Sequence, residues 1–200
     1  MSTAPPKSAL STDEIVRLAA SRPIVLVGLR GVGKSSVGRR LAAHVGRRFL
    51  DLDERLLRTA REAGHPAESI AVLYELVGPS RFRDLEAVAL RQVLEPGILC
   101  VLATGGGAVE RVDSRTWLLR AGFCVWLTEE LPVIAERVRR DGAKRPALLG
   151  EDPVDELPAL LRRREPLYRA VEHLVVAGAG RGVDEIAREI VERCGLAPAE

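Results

Sequence analysis

Lysine is nearly missing from this chain: of 30 basic residues, only Lys7, Lys34 and Lys144 are not arginine. Cysteine is almost as scarce, with Cys100, Cys124 and Cys194 widely spaced and two of them inside apolar runs. That pattern excludes a disulfide framework and reads as small core residues. Histidine is limited to His44, His65 and His173, with no metal-ligand spacing between them, which leaves surface or packing roles. No apolar run approaches the ~20 residues that a membrane span needs. The N-terminus also lacks the basic-then-apolar order of a secretory leader. A cytoplasmic protein is the resulting expectation. The formal net charge of +2 is too small to argue for nucleic acid or a membrane surface as a partner. Repeats and low-complexity segments are absent.

What is present is ordinary for a globular chain: 200 residues, 46% hydrophobic and 29% charged, enough for one domain with a substantial core. One stretch organises it. From Pro23 the chain reads PIVLVG, then LRGVGKSS, then VGRRL. This is strand, glycine-rich loop and helix in the order of a phosphate-binding P-loop. The loop must wrap a phosphate with backbone N–H groups, and inward Cβ atoms would block that approach. Gly28, Gly31 and Gly33 remove the obstacle and permit positive φ. The following helix points its positive dipole end at the same phosphate. Lys34 adds a slim point charge where the planar fork of an arginine would not fit, in a composition that otherwise prefers arginine. Ser35 offers a hydroxyl to Mg²⁺.

Around this loop the apolar pattern predicts helices, strands and a tail. Residues 1–12 read as a disordered tail, residues 13–195 as a single domain, and residues 196–200 as a second tail. Ser11 and Glu14 form a capping-box pattern for a helix to Ala20. The P-loop helix runs to about Val45, and Arg48–Leu52 is a short second strand. Asp51 and Asp53 stand at its end and share a face if the strand persists. There one carboxylate can hold Mg²⁺ through water while the other reaches a substrate hydroxyl, although Asp53 also suits a helix N-cap.

Residues 54–95 are helical in pattern with no strand, and are expected to form an inserted substrate-binding lobe. Within it Arg83 and Glu86 lie three apart on one helix face. The pair suits either a surface ion pair or an arginine held so that its fork faces an anionic substrate. Gly97–Ala103 is a continuous apolar run, as in a buried parallel strand, and it ends in Thr104-Gly105-Gly106-Gly107. Glycines at that edge suit close backbone approach to a ligand. A helix over Ser114–Ala121, a strand over Phe123–Leu127 and a helix over Pro132–Arg140 follow. Residues 141–152 are polar, basic and rich in Gly and Pro, as a lid carrying Arg145 would be. The next helix runs from Pro153 to about Arg164, where Arg162-Arg163-Arg164 precedes a bend forced by Pro166. One of the three arginines can turn inward. A fifth strand over His173–Ala177 and a helix over Val183–Cys194 close the chain.

Taken together, GLRGVGKSS (Gly28–Ser36), DLD (Asp51–Asp53), FRDLE (Phe82–Glu86), ATGGG (Ala103–Gly107), RP (Arg145–Pro146) and REPLY (Arg164–Tyr168) resemble the shikimate kinase family. The resemblance extends from Ile24 to about Cys194. It implies a three-layer α/β/α fold of the P-loop kinase type, with a five-stranded parallel sheet in the order 2-3-1-4-5. It also implies ATP-dependent phosphorylation of the 3-hydroxyl of shikimate. On this resemblance ATP contacts Gly31, Val32, Gly33, Lys34, Ser35 and Ser36. Arg140 stacks on the adenine, and Mg²⁺ sits at Ser35 and Asp51. Shikimate contacts Asp53, Arg83, Gly105, Gly106, Gly107 and Arg164. Lys34, Asp53 and Arg145 carry the chemistry, with Asp53 as the candidate base.

The chain departs from the family pattern in a longer 64–69 segment, in Pro79 where Glu is usual, and in a slightly short lid. Two other readings stand beside this one. A non-catalytic ligand sensor of the same fold is disfavoured by the retained Asp53, Arg83 and Arg164, and by the short stretch before Pro23. A kinase for another small molecule, such as gluconate, is disfavoured by the TGGG and RxPLY motifs. Without heptads or an apolar stripe, a monomer is the expected state.

Overall fold

A computed structural model describes residues 10–95, 98–141 and 152–199. Five strands form one parallel sheet: β1 (Ile24–Val27), β2 (Arg48–Asp51), β3 (Cys100–Ala103), β4 (Phe123–Thr128) and β5 (Leu174–Ala177). Their order is β2-β3-β1-β4-β5, as the resemblance implies. Eight helices connect and flank them among the described residues: α1 (Thr12–Ser21), α2 (Lys34–His44), α3 (Leu52–Glu62), α4 (Ile70–Leu94), α5 (Val112–Ala121), α6 (Leu131–Asp141), α7 (Leu157–Val171) and α8 (Val183–Arg193).

The central strand explains the layering. All four residues of β1 are buried, and β3 and β4 pair with it on either side. Successive side chains of a strand point to opposite faces. Val25 and Val27 therefore enter one core with α3 to α7, while Ile24 and Leu26 enter a second core with α1, α2 and α8. Each such fully buried Val, Leu or Ile contributes about 1.5–3 kcal/mol. All three cysteines are buried, in keeping with their reading as core residues. His173 accepts a hydrogen bond from the Cys124 amide through Nδ1 at 3.0 Å, and His44 pairs with Asp184 at 3.0 Å. Among the described residues, no helix is long and apolar enough to cross a membrane.

Several boundaries differ from the sequence reading. Capped by Ser11 as expected, α1 begins at Thr12, inside the proposed tail. At the other end, Leu196 packs against the second core and the Ala199 amide donates to His44 O at 2.7 Å, so 196–199 are held on the domain. β3 begins only at Cys100, where its neighbours begin: Cys100 pairs with Arg48 and Val101 with Ile24, and Ile98 and Leu99 before them are exposed. α4 is two helical segments in succession, broken at Gly78 (φ 72°, ψ 167°) just before Pro79. α7 does not end at Pro166. Leu160, Arg164, Tyr168 and Val171 form a buried stripe on both sides of it. Pro166 itself is exposed, so water can take the place of its lost backbone bond.

Candidate active site

The C-terminal ends of β1, β2 and β3 converge on one edge, the place where parallel α/β sheets bind ligands. At β1 the chain turns through Gly28 (φ 139°), Gly31 (φ 75°) and Gly33 (φ 99°). A Cβ on Gly28 would collide with the backbone oxygen of Leu127, so only glycine lets the loop pass β4. Gly33 is the N-cap of α2 and offers no side chain to its amides, which leaves the first-turn N–H groups without a side-chain cap. Lys34 folds back over this loop. It is buried, and its Nζ donates to Gly28 O at 2.8 Å and Leu29 O at 2.6 Å. Ser35 Oγ donates to Asp51 Oδ2 at 2.9 Å.

The two aspartates do not share a strand face. β2 ends at Asp51 and α3 begins at Leu52, so the period-2 argument fails after Asp51. Asp51 rather than Asp53 is the N-cap: its Oδ1 accepts the Asp53 amide at 3.0 Å while Oδ2 meets Ser35. The helical turn sends Asp53 elsewhere, into an open cavity beside the loop.

That cavity is lined by Asp53, Arg83, Gly105, Gly106, Gly107 and Arg164, the whole of the expected acceptor set. Ile70, Tyr74 and Phe82 form its apolar wall, with Tyr74 and Phe82 packed edge-to-face at 5.2 Å. Arg83 Nη1 donates to Glu86 Oε2 at 2.7 Å, and Glu86 is 3% exposed. The pair is therefore internal, not a surface bridge. Burial pushes the Glu86 carboxyl above its ordinary pKa, and Arg83 offsets that only in part. The arginine triplet is resolved by burial: the Arg164 side chain is 3% exposed and lines the cavity, whereas that of Arg163 is 52% exposed.

Four features escaped the sequence reading. Arg30, inside the P-loop, lines the cavity and pairs with Glu156, and its Nη2 also donates to Pro153 O at 3.0 Å. Glu110 contacts Arg83, Arg163 and Arg164. Tyr168 OH donates to Gly106 O at 2.6 Å and pins the glycine loop from below. The apolar wall was also missed. None of these carries a spacing signal, because their partners lie far away in sequence; only the REPLY motif had drawn attention to Tyr168.

Arg140 stands on the last turn of α6, exposed and paired with Glu136 at 2.6 Å. Arg145 and most of the 141–152 lid lie outside the described residues. Among the described residues no cluster of three or more His, Cys, Asp or Glu could hold a metal ion. Ser35 and Asp51 supply only two hard oxygen donors, a set that suits a cation shared with phosphates.

A family model described as shikimate kinase matches residues 30–195. The shikimate kinase of Rhodopseudomonas palustris is 39% identical over 181 residues, covering 90% of this chain and 83% of that protein. That of Symbiobacterium thermophilum is 39% identical over 171 residues, covering 85% of this chain and 94% of the relative. Among solved structures, a shikimate kinase from Acinetobacter baumannii in complex with shikimate superposes with a TM-score of 0.76 at 35% identity. That superposition covers 91% of this chain and 96% of the other.

Proposed function

The chain belongs to the shikimate kinase family, and we infer that it catalyses ATP-dependent phosphorylation of the 3-hydroxyl of shikimate, yielding shikimate 3-phosphate and ADP. It is a phosphotransferase with an alcohol as acceptor, acting on the route to chorismate and the aromatic amino acids. The observation that carries the reading is the meeting of two half-sites. A glycine loop with a buried lysine adjoins a cavity lined by two carboxylates, three arginines and three glycines.

The division of labour follows from chemistry. Phosphoryl transfer asks the protein for positioning and charge neutralisation more than for covalent work. Loop amides from Gly31 to Ser36 and the Lys34 ammonium hold the β- and γ-phosphates of ATP. Ser35 and Asp51 hold Mg²⁺, which when bound neutralises charge on those phosphate oxygens. Arg83 and Arg164 grip the planar carboxylate of shikimate, a task that suits guanidinium forks. Gly105, Gly106 and Gly107 let the ring lie against backbone. Asp53 accepts a hydrogen bond from the 3-hydroxyl and takes its proton as the oxygen attacks the γ-phosphorus. Arg145 adds positive charge to the transferring group, and Arg140 stacks on the adenine.

The test is ADP release in the presence of ATP and Mg²⁺, with shikimate, with gluconate and with no acceptor. Turnover that depends on shikimate supports the reading. Intact ATP binding without shikimate-dependent turnover overturns it.

A further inference from the structure

The two arginines assigned to the substrate carboxylate come from different helices, α4 and α7, and nothing in their own elements aligns them with each other. One side chain does so. Glu110 sits in the turn after the three glycines, with its amide donating to Gly107 O at 2.9 Å and its carbonyl accepting from Arg115 Nη1 at 3.0 Å. With its backbone pinned in this way, its carboxylate reaches both cations. Oε1 takes Arg164 Nε at 2.7 Å and Nη2 at 2.6 Å, and Oε2 takes Arg83 Nε at 3.4 Å. Arg163 closes the outer side at 2.8 Å.

The pattern of occupied N–H groups matters more than their number. On Arg164, Glu110 takes Nε and Nη2, and the remaining Nη1 lies 3.5 Å from where a Cβ on Gly106 would stand. On Arg83, Glu86 takes Nη1 and Glu110 takes Nε, which leaves Nη2; the guanidinium as a whole lies against Gly107, where a Cβ would collide with Nη2, Cζ and Nη1. Each guanidinium thus keeps one terminal nitrogen outside these ion pairs, beside the glycines of the cavity.

We propose that Glu110 is a positioning residue for acceptor recognition: it bridges Arg83 and Arg164 from behind and aims one terminal nitrogen of each at the substrate carboxylate. The assignment rests on the reading of shikimate as the acceptor. Two adjacent cations with no anion between them repel and splay apart. Removing the bridge therefore costs orientation, even though it raises the net positive charge facing the ligand. The carboxylate is gripped alike in ground and transition states, so the loss falls on KM and not on kcat.

The test compares wild type, Glu110→Gln and Glu110→Asp for KM of shikimate, KM of ATP and kcat. It adds direct binding of shikimate and of its uncharged methyl ester, with thermal unfolding to monitor folding. Glu110→Gln is expected to raise the shikimate KM about tenfold, or ~1.4 kcal/mol, with kcat and the ATP KM within about twofold. The same variant is expected to shrink the preference for acid over ester by a similar factor. Glu110→Asp, which keeps the charge but draws it back by one methylene, is expected to fall between the two. It also supplies the answer if the Gln variant does not fold. An unchanged or lowered shikimate KM in either variant overturns the proposal. Equal weakening of acid and ester also overturns it, because that marks a packing role. A wild type that turns over no shikimate contradicts the functional reading itself, an outcome visible before any variant is made.

Discussion

Arg83 Nη1 and Glu86 Oε2 meet at 2.7 Å where Glu86 is 3% exposed, so an i, i+3 pair that could have been a surface bridge is an internal fixture of the acceptor cavity. Glu86→Gln leaves Arg83 held by Glu110 alone and should raise the shikimate KM about tenfold with little change in the ATP KM. The same pair sets a pH dependence. Burial pushes the Glu86 pKa above its ordinary 4.5, so it takes a proton before an ordinary glutamate would and loosens Arg83. Between 4.5 and the raised value the folded protein binds the extra proton. Stability from this group therefore grows as pH falls and is lost as pH rises through the folded value, while shikimate affinity moves the opposite way. A KM profile for wild type whose acid limb begins above pH 4.5, and is missing in Glu86→Gln, would bear this out.

Arg164 and Arg163 are neighbours with opposite fates, one lining the cavity and one half-exposed on the rim. Arg164→Lys removes the guanidinium that meets Glu110 through Nε and Nη2 and keeps Nη1 for the ligand, and should raise the shikimate KM by about 10- to 100-fold, leaving the ATP KM within about twofold. Arg163→Lys should change both by less than about threefold, as an exposed ion pair contributes ~1 kcal/mol or less. Steady-state kinetics with each substrate varied in turn distinguishes them, and the reverse pattern would move the carboxylate clamp to Arg163.

Lys34 is held over the loop by the carbonyls of Gly28 and Leu29. Lys34→Met keeps the stem and removes the charge. Turnover should fall by about two to three orders of magnitude, the usual cost of losing a preorganised electrostatic partner of the transition state. Shikimate binding measured in the absence of nucleotide should survive.

Tyr168 links α7 to the glycine loop through its hydrogen bond to Gly106 O. Burial raises its phenol pKa well above the ordinary value of 10. Tyr168→Phe leaves a buried carbonyl without this donor and should cost about 1–3 kcal/mol in urea unfolding. Because Gly106 lines the cavity, a rise in the shikimate KM should accompany the loss of stability.

Much of this was legible in the residues. The P-loop announces itself because its chemistry is local: strand, glycines, lysine and helix are contiguous. The buried run at β1 and the TGGG edge after β3 were readable for the same reason. The failures share one cause, a dependence on contacts remote in sequence. Pro166 suggests a bend, yet the buried stripe from Leu160 to Val171 carries α7 through it. Asp51 and Asp53 suggested a common strand face, but the helix begins between them and divides their tasks, one toward Ser35 and one into the cavity. Nothing near Glu110 in sequence says that it will meet Arg83 and Arg164, since only the folded sheet brings the three together. Arg30 carries no signal of its own inside the P-loop, because its partner Glu156 is remote in sequence.

Whether the phosphoryl group of ATP lands on the 3-hydroxyl of shikimate can be read from ³¹P NMR of a reaction mixture containing the protein, ATP, Mg²⁺ and shikimate. A new phosphomonoester resonance, coupled to the ring proton at C3, should grow as ADP forms and be absent without shikimate. ATP loss with only inorganic phosphate as product, or a phosphomonoester coupled to a different ring proton, would contradict transfer to the 3-hydroxyl.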